Sequence, residues 1–189
     1  MTDSLPLIGR SGLPAEIAYL RDRYPQAGWQ AHPRYGQLAA FWLHIHATLR
    51  SEATALTTTT DLLRGRQIDP AAFQRRFVPE LNGFLQHLDA HHRIEDTAYF
   101  PRFRVLDPRM GVGFDLLERD HHAIHDALLT TVERARTLLA SLAGTGIEQA
   151  ADNYADASGR LIAMLRQHLA DEEELVIPAM LEHGERAVG

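Results

Sequence analysis

Cysteine is absent from the 189 residues. Disulfide scaffolds, thiolate zinc sites, iron–sulfur clusters and cysteine nucleophiles are therefore excluded together. Long apolar runs are missing too: none approaches the roughly 20 residues that span a bilayer. The segment Met1 to Pro6 lacks the basic and apolar regions of a secretion signal, so a cytoplasmic chain with no membrane partner is expected. Basic charge is in deficit, with 19 Lys and Arg against 25 Asp and Glu and a formal net charge of -6. That balance argues against a nucleic-acid surface and provides no polybasic membrane patch. No segment carries a convincing strand pattern.

What the chain does have is histidine, 11 in all. His44 and His46, then His87, His91 and His92, then His121, His122 and His125, and finally His168 fall into four groups, with only His32 and His183 outside them. Any metal chemistry must rest on these imidazoles and on neighbouring carboxylates.

The groups lie on segments with helical periodicity. Residues 1–33 are rich in proline and glycine and read as an irregular N-terminal extension, with at most a short helix from Pro14 to Tyr24 and no residue that points to chemistry. Residues 34–189 form the expected domain. Leu38, Trp42, Ile45, Leu49, Ala53 and Leu56 give a first helical stripe from about Tyr35 to Leu63, with Gly65 as its stop. Asp69 and Pro70 supply an N-cap and a first-turn proline for a second stripe of Phe73, Phe77, Leu81, Phe84, Leu88 and Glu95, ended or kinked at Pro101. Phe114, Leu117, His121, Leu128, Val132, Ala135 and Leu139 form a third, and Ile147 to Leu175 a fourth, with Pro178 just beyond. Four amphipathic helices with short connections predict an all-α fold, an antiparallel up-down-up-down four-helix bundle.

Facing selects a donor set. At about 100° per residue, Glu95 and Glu172 fall near the centres of their apolar arcs, with His91 and His168 one turn earlier at the edges. Asp171 and Glu173 are expected to turn towards solvent. On the third helix His121 faces inward and His125 follows one turn later, while His122 points away; on the first, His46 is chosen over His44. The inward set is His46, His91, Glu95, His121, His125, His168 and Glu172, with His92 a rival because it also faces inward and precedes Asp96 by one turn. His87, Glu118 and Tyr99 are weaker candidates for supporting roles, and His183 reads as solvated. The device recurs: His91-x-x-x-Glu95 precedes Pro101 as His168-x-x-x-Glu172 precedes Pro178. Unpartnered, two core-facing carboxylates would each cost several kcal/mol; two metal ions sharing carboxylate bridges offset that cost, and a histidine–glutamate ion-pair network across the core is the alternative that would do so. Nitrogen-rich donors of this kind suit iron, zinc or manganese better than magnesium or calcium.

The motifs His91-His92-Arg93-Ile94-Glu95-Asp96 with Phe100-Pro101, Asp120-His121-x-x-Ile124-His125, and His168-x-x-x-Glu172-Glu173 with Pro178, preceded by His46-x-x-Leu49-Arg50, resemble the hemerythrin-like, or HHE cation-binding, family over about residues 35–180. The resemblance implies a four-helix bundle around two non-haem iron ions joined by an oxo or hydroxo bridge. His46 and His91 would serve one iron, His121, His125 and His168 the other, and Glu95 and Glu172 would bridge. Oxygen carriers of the family place the last carboxylate where Glu173 stands here; the broader group uses the spacing that selects Glu172. The cysteine-containing module of iron–sulfur repair relatives is absent. With one coordination position open, the implied function is binding or reduction of dioxygen, peroxide or nitric oxide, with an electron donor as partner in a monomer or homodimer. The enzymatic version consumes peroxide or nitric oxide. A regulatory iron or oxygen sensor, or an iron-homeostasis protein, is the alternative.

Overall fold

A computed structural model describes residues 5–189; the first four residues of the N-terminal extension lie outside the described residues. Among the described residues the regular structure is all helical, with five α-helices: α1 Gln37–Arg64, α2 Pro70–Ile94, α3 Phe100–Leu106, α4 Gly111–Ser141 and α5 Ile147–His183. The four long stripes each produced a helix. The Asp69 carboxylate accepts from the Ala72 N–H at 2.8 Å and caps α2 as its sequence implied. α1 packs against α2 and α5, and α4 packs against α5.

Two boundaries differ from the periodicity reading. Pro101 neither ends nor sharply divides the second helix: a π-helical turn, Glu95–Tyr99, absorbs one extra residue, and Pro101 then sits in the first turn of α3, where no N–H is needed. Pro178 lies inside α5, which continues to His183 because its final turns are buried. In the extension, Pro14 to Tyr24 forms successive turns rather than a helix. The Ile17 and Ala18 N–H groups share the Pro14 carbonyl, and Leu13, Ile17 and Leu20 are held by tertiary packing. A short 3-10 turn at Gln26–Ala31 follows.

Burial divides into two apolar clusters. One gathers Leu49, Leu56, Phe73, Phe77, Leu165 and neighbours. The other gathers Trp42, Phe100, Phe103, Phe114, Val176 and neighbours, together with Leu13, Ile17 and Trp29 of the extension. On α1, α4 and α5 the buried histidines fall between a residue of one cluster and a residue of the other: His46 between Trp42 and Leu49, His121 between Leu117 and Ile124, His168 between Leu165 and Val176. A polar layer thus crosses the interior between two hydrophobic blocks.

The C-terminal turn closes the structure on the start of α1. Glu185 accepts from the N–H groups of Gly36, Leu38 and Ala39 at 3.0, 3.1 and 2.8 Å. It does so across a glycine whose Cβ would lie 2.3 Å from its Oε2. Glu185→Ala is expected to destabilise the protein by about 1–2 kcal/mol, the loss of a helix cap with charge-assisted bonds, measured as a lower urea midpoint with an unchanged slope.

Candidate metal centre

The polar layer is assembled from four helices and the π-helical turn. α1 contributes His46, α2 contributes His91 and His92, the turn begins with Glu95, α4 supplies His121, and α5 supplies His168 and Glu172. His46, His168 and Glu172 are wholly buried, and Glu95 is 2 % exposed.

Donor atoms from these residues converge in three overlapping groups, each with its atoms within 4.8 Å of one another: His46, His91, Glu95 and Glu172; Glu95, His121, His168 and Glu172; and His92, His121 and His168. Glu95 and Glu172 are common to the first two groups. One pair of imidazoles, His46 and His91, stands on one side of them, and His121 with His168 stands on the other. The His121 and His168 Nε2 atoms are 3.0 Å apart, and the His92 ring stacks on His121 with centroids 3.9 Å apart.

Many of these atoms make no hydrogen bond within the protein, although acidic or basic groups stand near several of them, as His91 Nδ1 does 3.1 Å from Glu95 Oε1. His46 Nε2, His91 Nε2, His92 Nε2, both Glu95 oxygens, Glu172 Oε2 and His168 Nδ1 are buried without a hydrogen bond. Buried polar atoms in folded proteins are overwhelmingly satisfied. Six of the seven, all but His168 Nδ1, which faces Asp120, are imidazole nitrogens or carboxylate oxygens of the donor groups and make a set suited to a cation.

The electrostatics describe the same demand. Burial raises the Glu95 carboxyl well above the ordinary range, and neighbouring Glu172 pushes it the same way. Burial also opposes ionisation of Glu172, but His46, His168 and His91 outweigh it and hold that carboxyl well below the ordinary range. Burial disfavours the His46 imidazolium, yet Glu172 and Glu173 overcome it and raise the group to about 9. His91 is pushed down to about 3 by burial and the surrounding imidazoles, and His92 well below its usual value for the same reasons. Without a cation, then, the surroundings favour the protonated forms of both His46 and Glu95.

The far nitrogens are anchored. His46 Nδ1 pairs with Glu173 Oε1 at 2.9 Å, and Arg50 holds the same oxygen at 2.7 Å. His121 Nδ1 pairs with Asp96 Oδ1 at 2.8 Å. His168 Nδ1 faces Asp120 Oδ2 at 3.5 Å. The Trp42 indole N–H donates to Glu172 Oε1. Such partners fix tautomer and ring orientation.

Most of the residues singled out from the sequence meet here, but His125 does not. It is exposed and belongs to none of the three groups. The buried arc of α4 is centred on Ile124, so a residue one position further on rotates away by about 100°; Thr131 and Leu138 are correspondingly buried where Val132 and Leu139 were expected. His92, the rival, is in a donor group instead. Asp171 and Glu173 were expected to face solvent and are buried, because Arg10 of the extension covers the first and Arg50 of α1 covers the second. His44 and His122 are exposed. His87 pairs with Glu52 at the rim, Glu118 pairs with Arg104, and His183 lies 3.5 Å from Asp107. Asp96 was noticed only as a companion of His92, and Asp120 only as part of a motif; no spacing within one helix marks either as an imidazole partner on another.

Two openings flank the layer. Phe41, Trp42, Ile45, Ile94 and Tyr99 line an apolar cavity of about 140 Å³ that reaches His91 and Glu95. On the opposite side Asp89, Arg93, His122 and His125 line a more polar cleft that reaches His92 and His121.

In the metal-free protein, His46 is held above its ordinary value, so its contribution to stability is complete below about pH 6.5 and is lost as pH rises through about 9. Glu173→Gln removes one of the two supporting carboxylates. The His46 midpoint is expected to fall, and the alkaline loss of stability to begin at lower pH, read by titrating the imidazole nitrogens by NMR and by thermal melts across the same range.

The model of one family, the hemerythrin HHE cation binding domain, matches residues 37–180. Comparison with curated proteins and with solved structures returned no match.

Proposed function

This chain belongs to the hemerythrin HHE cation-binding family, and on that premise we propose that it is a non-haem di-iron protein that binds or reacts with dioxygen, peroxide or nitric oxide. The observation that carries the reading is the pair of buried carboxylates, Glu95 and Glu172, shared between two sets of imidazoles, with three of their four oxygens making no hydrogen bond. One ion would be held by His46 and His91 and the other by His121 and His168, with His92 completing the second set in the position first given to His125. The four long helices would form the family's antiparallel bundle around them.

When bound, the irons supply Lewis acidity and a two-electron reservoir. The protein's own share is preparation. Glu173, Asp96 and Asp120 aim three imidazoles inward, Trp42 holds one oxygen of Glu172, and the two apolar clusters keep bulk water from the layer. Phe41, Ile45 and Ile94 offer a small uncharged ligand a path towards His91 and Glu95 at little desolvation cost.

Metal analysis after anaerobic reconstitution tests the reading, with about two irons per chain expected and none refuting it. Binding should release protons, because His46 is raised to about 9 in the metal-free protein, burial and Glu172 favour the protonated form of Glu95, and both must give up the proton to act as donors. Affinity is therefore expected to rise with pH from 6 to 8, and an affinity independent of pH would contradict the assignment. Exposure of the reduced protein to air separates the activities. A spectral change that reverses on deoxygenation marks a carrier, whereas sustained peroxide consumption, lost in His91→Ala, marks an enzyme.

A further inference from the structure

We infer that Arg10, in the N-terminal extension, is a positioning residue of the cation site, acting through Asp120 on His168. The inference rests on the metal-binding reading above, and it concerns a segment outside the residues matched by the family model.

Arg10 is 9 % exposed, and its guanidinium contacts two buried carboxylates and, through Nη1, the Leu5 carbonyl at 3.3 Å. Nη1 donates to Asp120 Oδ1 at 3.2 Å and Nη2 to Oδ2 of the same carboxylate, a two-point grip that fixes the carboxylate plane. Nε donates to Asp171 Oδ2 at 2.7 Å, and the other Asp171 oxygen accepts from Gln167 Nε2 at 2.8 Å. Asp120 Oδ2 in turn faces His168 Nδ1 at 3.5 Å. On the other edge of that ring, Nε2 lies 3.4 Å from Glu172 Oε2 and 3.0 Å from His121 Nε2. The extension is thus linked to the donor layer through one carboxylate and one imidazole.

The same construction occurs a second time. On the opposite side of the layer His46 Nδ1 meets Glu173, and Arg50 holds Glu173. Both sides therefore use an imidazole, a carboxylate on its far nitrogen, and an arginine that holds the carboxylate. One arginine comes from α1 inside the family domain, the other from the extension. A residue that served only to pin the extension would have no reason to share an oxygen with the partner of His168. Arg21 is such a pin: it donates to Glu174 at 2.9 Å and to the Leu13 carbonyl at 3.1 Å, both away from the layer.

The full chain is tested with cobalt(II) as the probe ion, comparing wild type, Arg10→Met, Arg10→Lys and Arg21→Met. Chelator competition reads the affinity of each ion, and NMR of the cobalt-loaded protein reads the paramagnetically shifted Nδ1–H of His168. Arg10→Met is expected to weaken one of two cobalt ions roughly 10–100-fold and to shift or broaden the His168 resonance, leaving the ion on the His46 side unchanged. Arg10→Lys keeps the charge without the fork and should fall between wild type and Arg10→Met. Arg21→Met should lower the melting temperature of the metal-free protein with both affinities intact. If Arg10→Met does not fold, Arg10→Lys and the double variant Arg10→Met with Asp171→Asn, which removes the surplus buried charge, carry the same comparison. Unchanged cobalt affinity and an unchanged His168 resonance in the Arg10 variants that fold overturn the inference while leaving the cation site in place. A wild-type protein that binds no cobalt overturns the underlying reading instead.

Discussion

Two carboxylates at the middle of a helical interior set the terms for the rest of this structure. Glu95 and Glu172 sit between two blocks of aliphatic and aromatic side chains, where an ionised carboxylate without compensation costs several kcal/mol. A domain of this size has about 5–15 kcal/mol of stability in total, so the positions are tenable only if positive charge comes with them. In the metal-free chain the surroundings favour a proton on both His46 and Glu95: Glu172 and Glu173 raise the first, and burial with Glu172 raises the second. A divalent cation would take the place of both protons and would also engage nitrogens and oxygens that make no hydrogen bond within the protein.

Holding such a layer together places demands on the backbone. In an uninterrupted α-helix Phe100 would lie about 140° around from Glu95, facing away from the interior. The π-helical turn, closed by the Phe100 N–H on the Glu95 carbonyl, absorbs one residue and brings Phe100 back to within about 40° of Glu95. One continuous stretch of chain can then present His91, His92 and Glu95 to the polar layer and, directly beyond, Phe100 and Phe103 to the second apolar block. Pro101, which lacks an N–H, follows at the point where the widened turn hands over to α3.

This division explains what could be read from the sequence. Helical period located the four long helices and placed His46, His91, Glu95, His121, His168 and Glu172 on inward faces, because those residues are fixed by their own helix. The period failed where burial is decided by something other than that helix. Asp171 and Glu173 lie off the centre of the α5 arc and would face solvent if α5 stood alone; Arg10 and Arg50 cover them from elsewhere in the chain. His125 failed for the opposite reason, since a small error in the centre of the α4 arc is enough to carry an edge residue outside. The π-helical turn has no residue signature beyond a proline that also fits a helix end. The extension, rich in proline and glycine, offered at most one short helix and no residue that pointed to chemistry, so the role of Arg10 emerged only from its contacts.

The two sides of the layer are alike in donor type and unlike in access. His91 and Glu95 open onto aromatic and aliphatic walls, whereas His92 and His121 open onto a cleft bearing Asp89, Arg93 and further histidines. An uncharged, weakly hydrated molecule loses little on entering the first opening, while a hydrated cation or a proton carrier is better served by the second. The asymmetry leaves the His46–His91 side with an apolar approach and the His92–His121 side with a more polar one. Both Arg50 and Arg10 then serve one requirement: keeping the carboxylates behind the imidazoles fixed, so that neither opening loosens the donors it leads to.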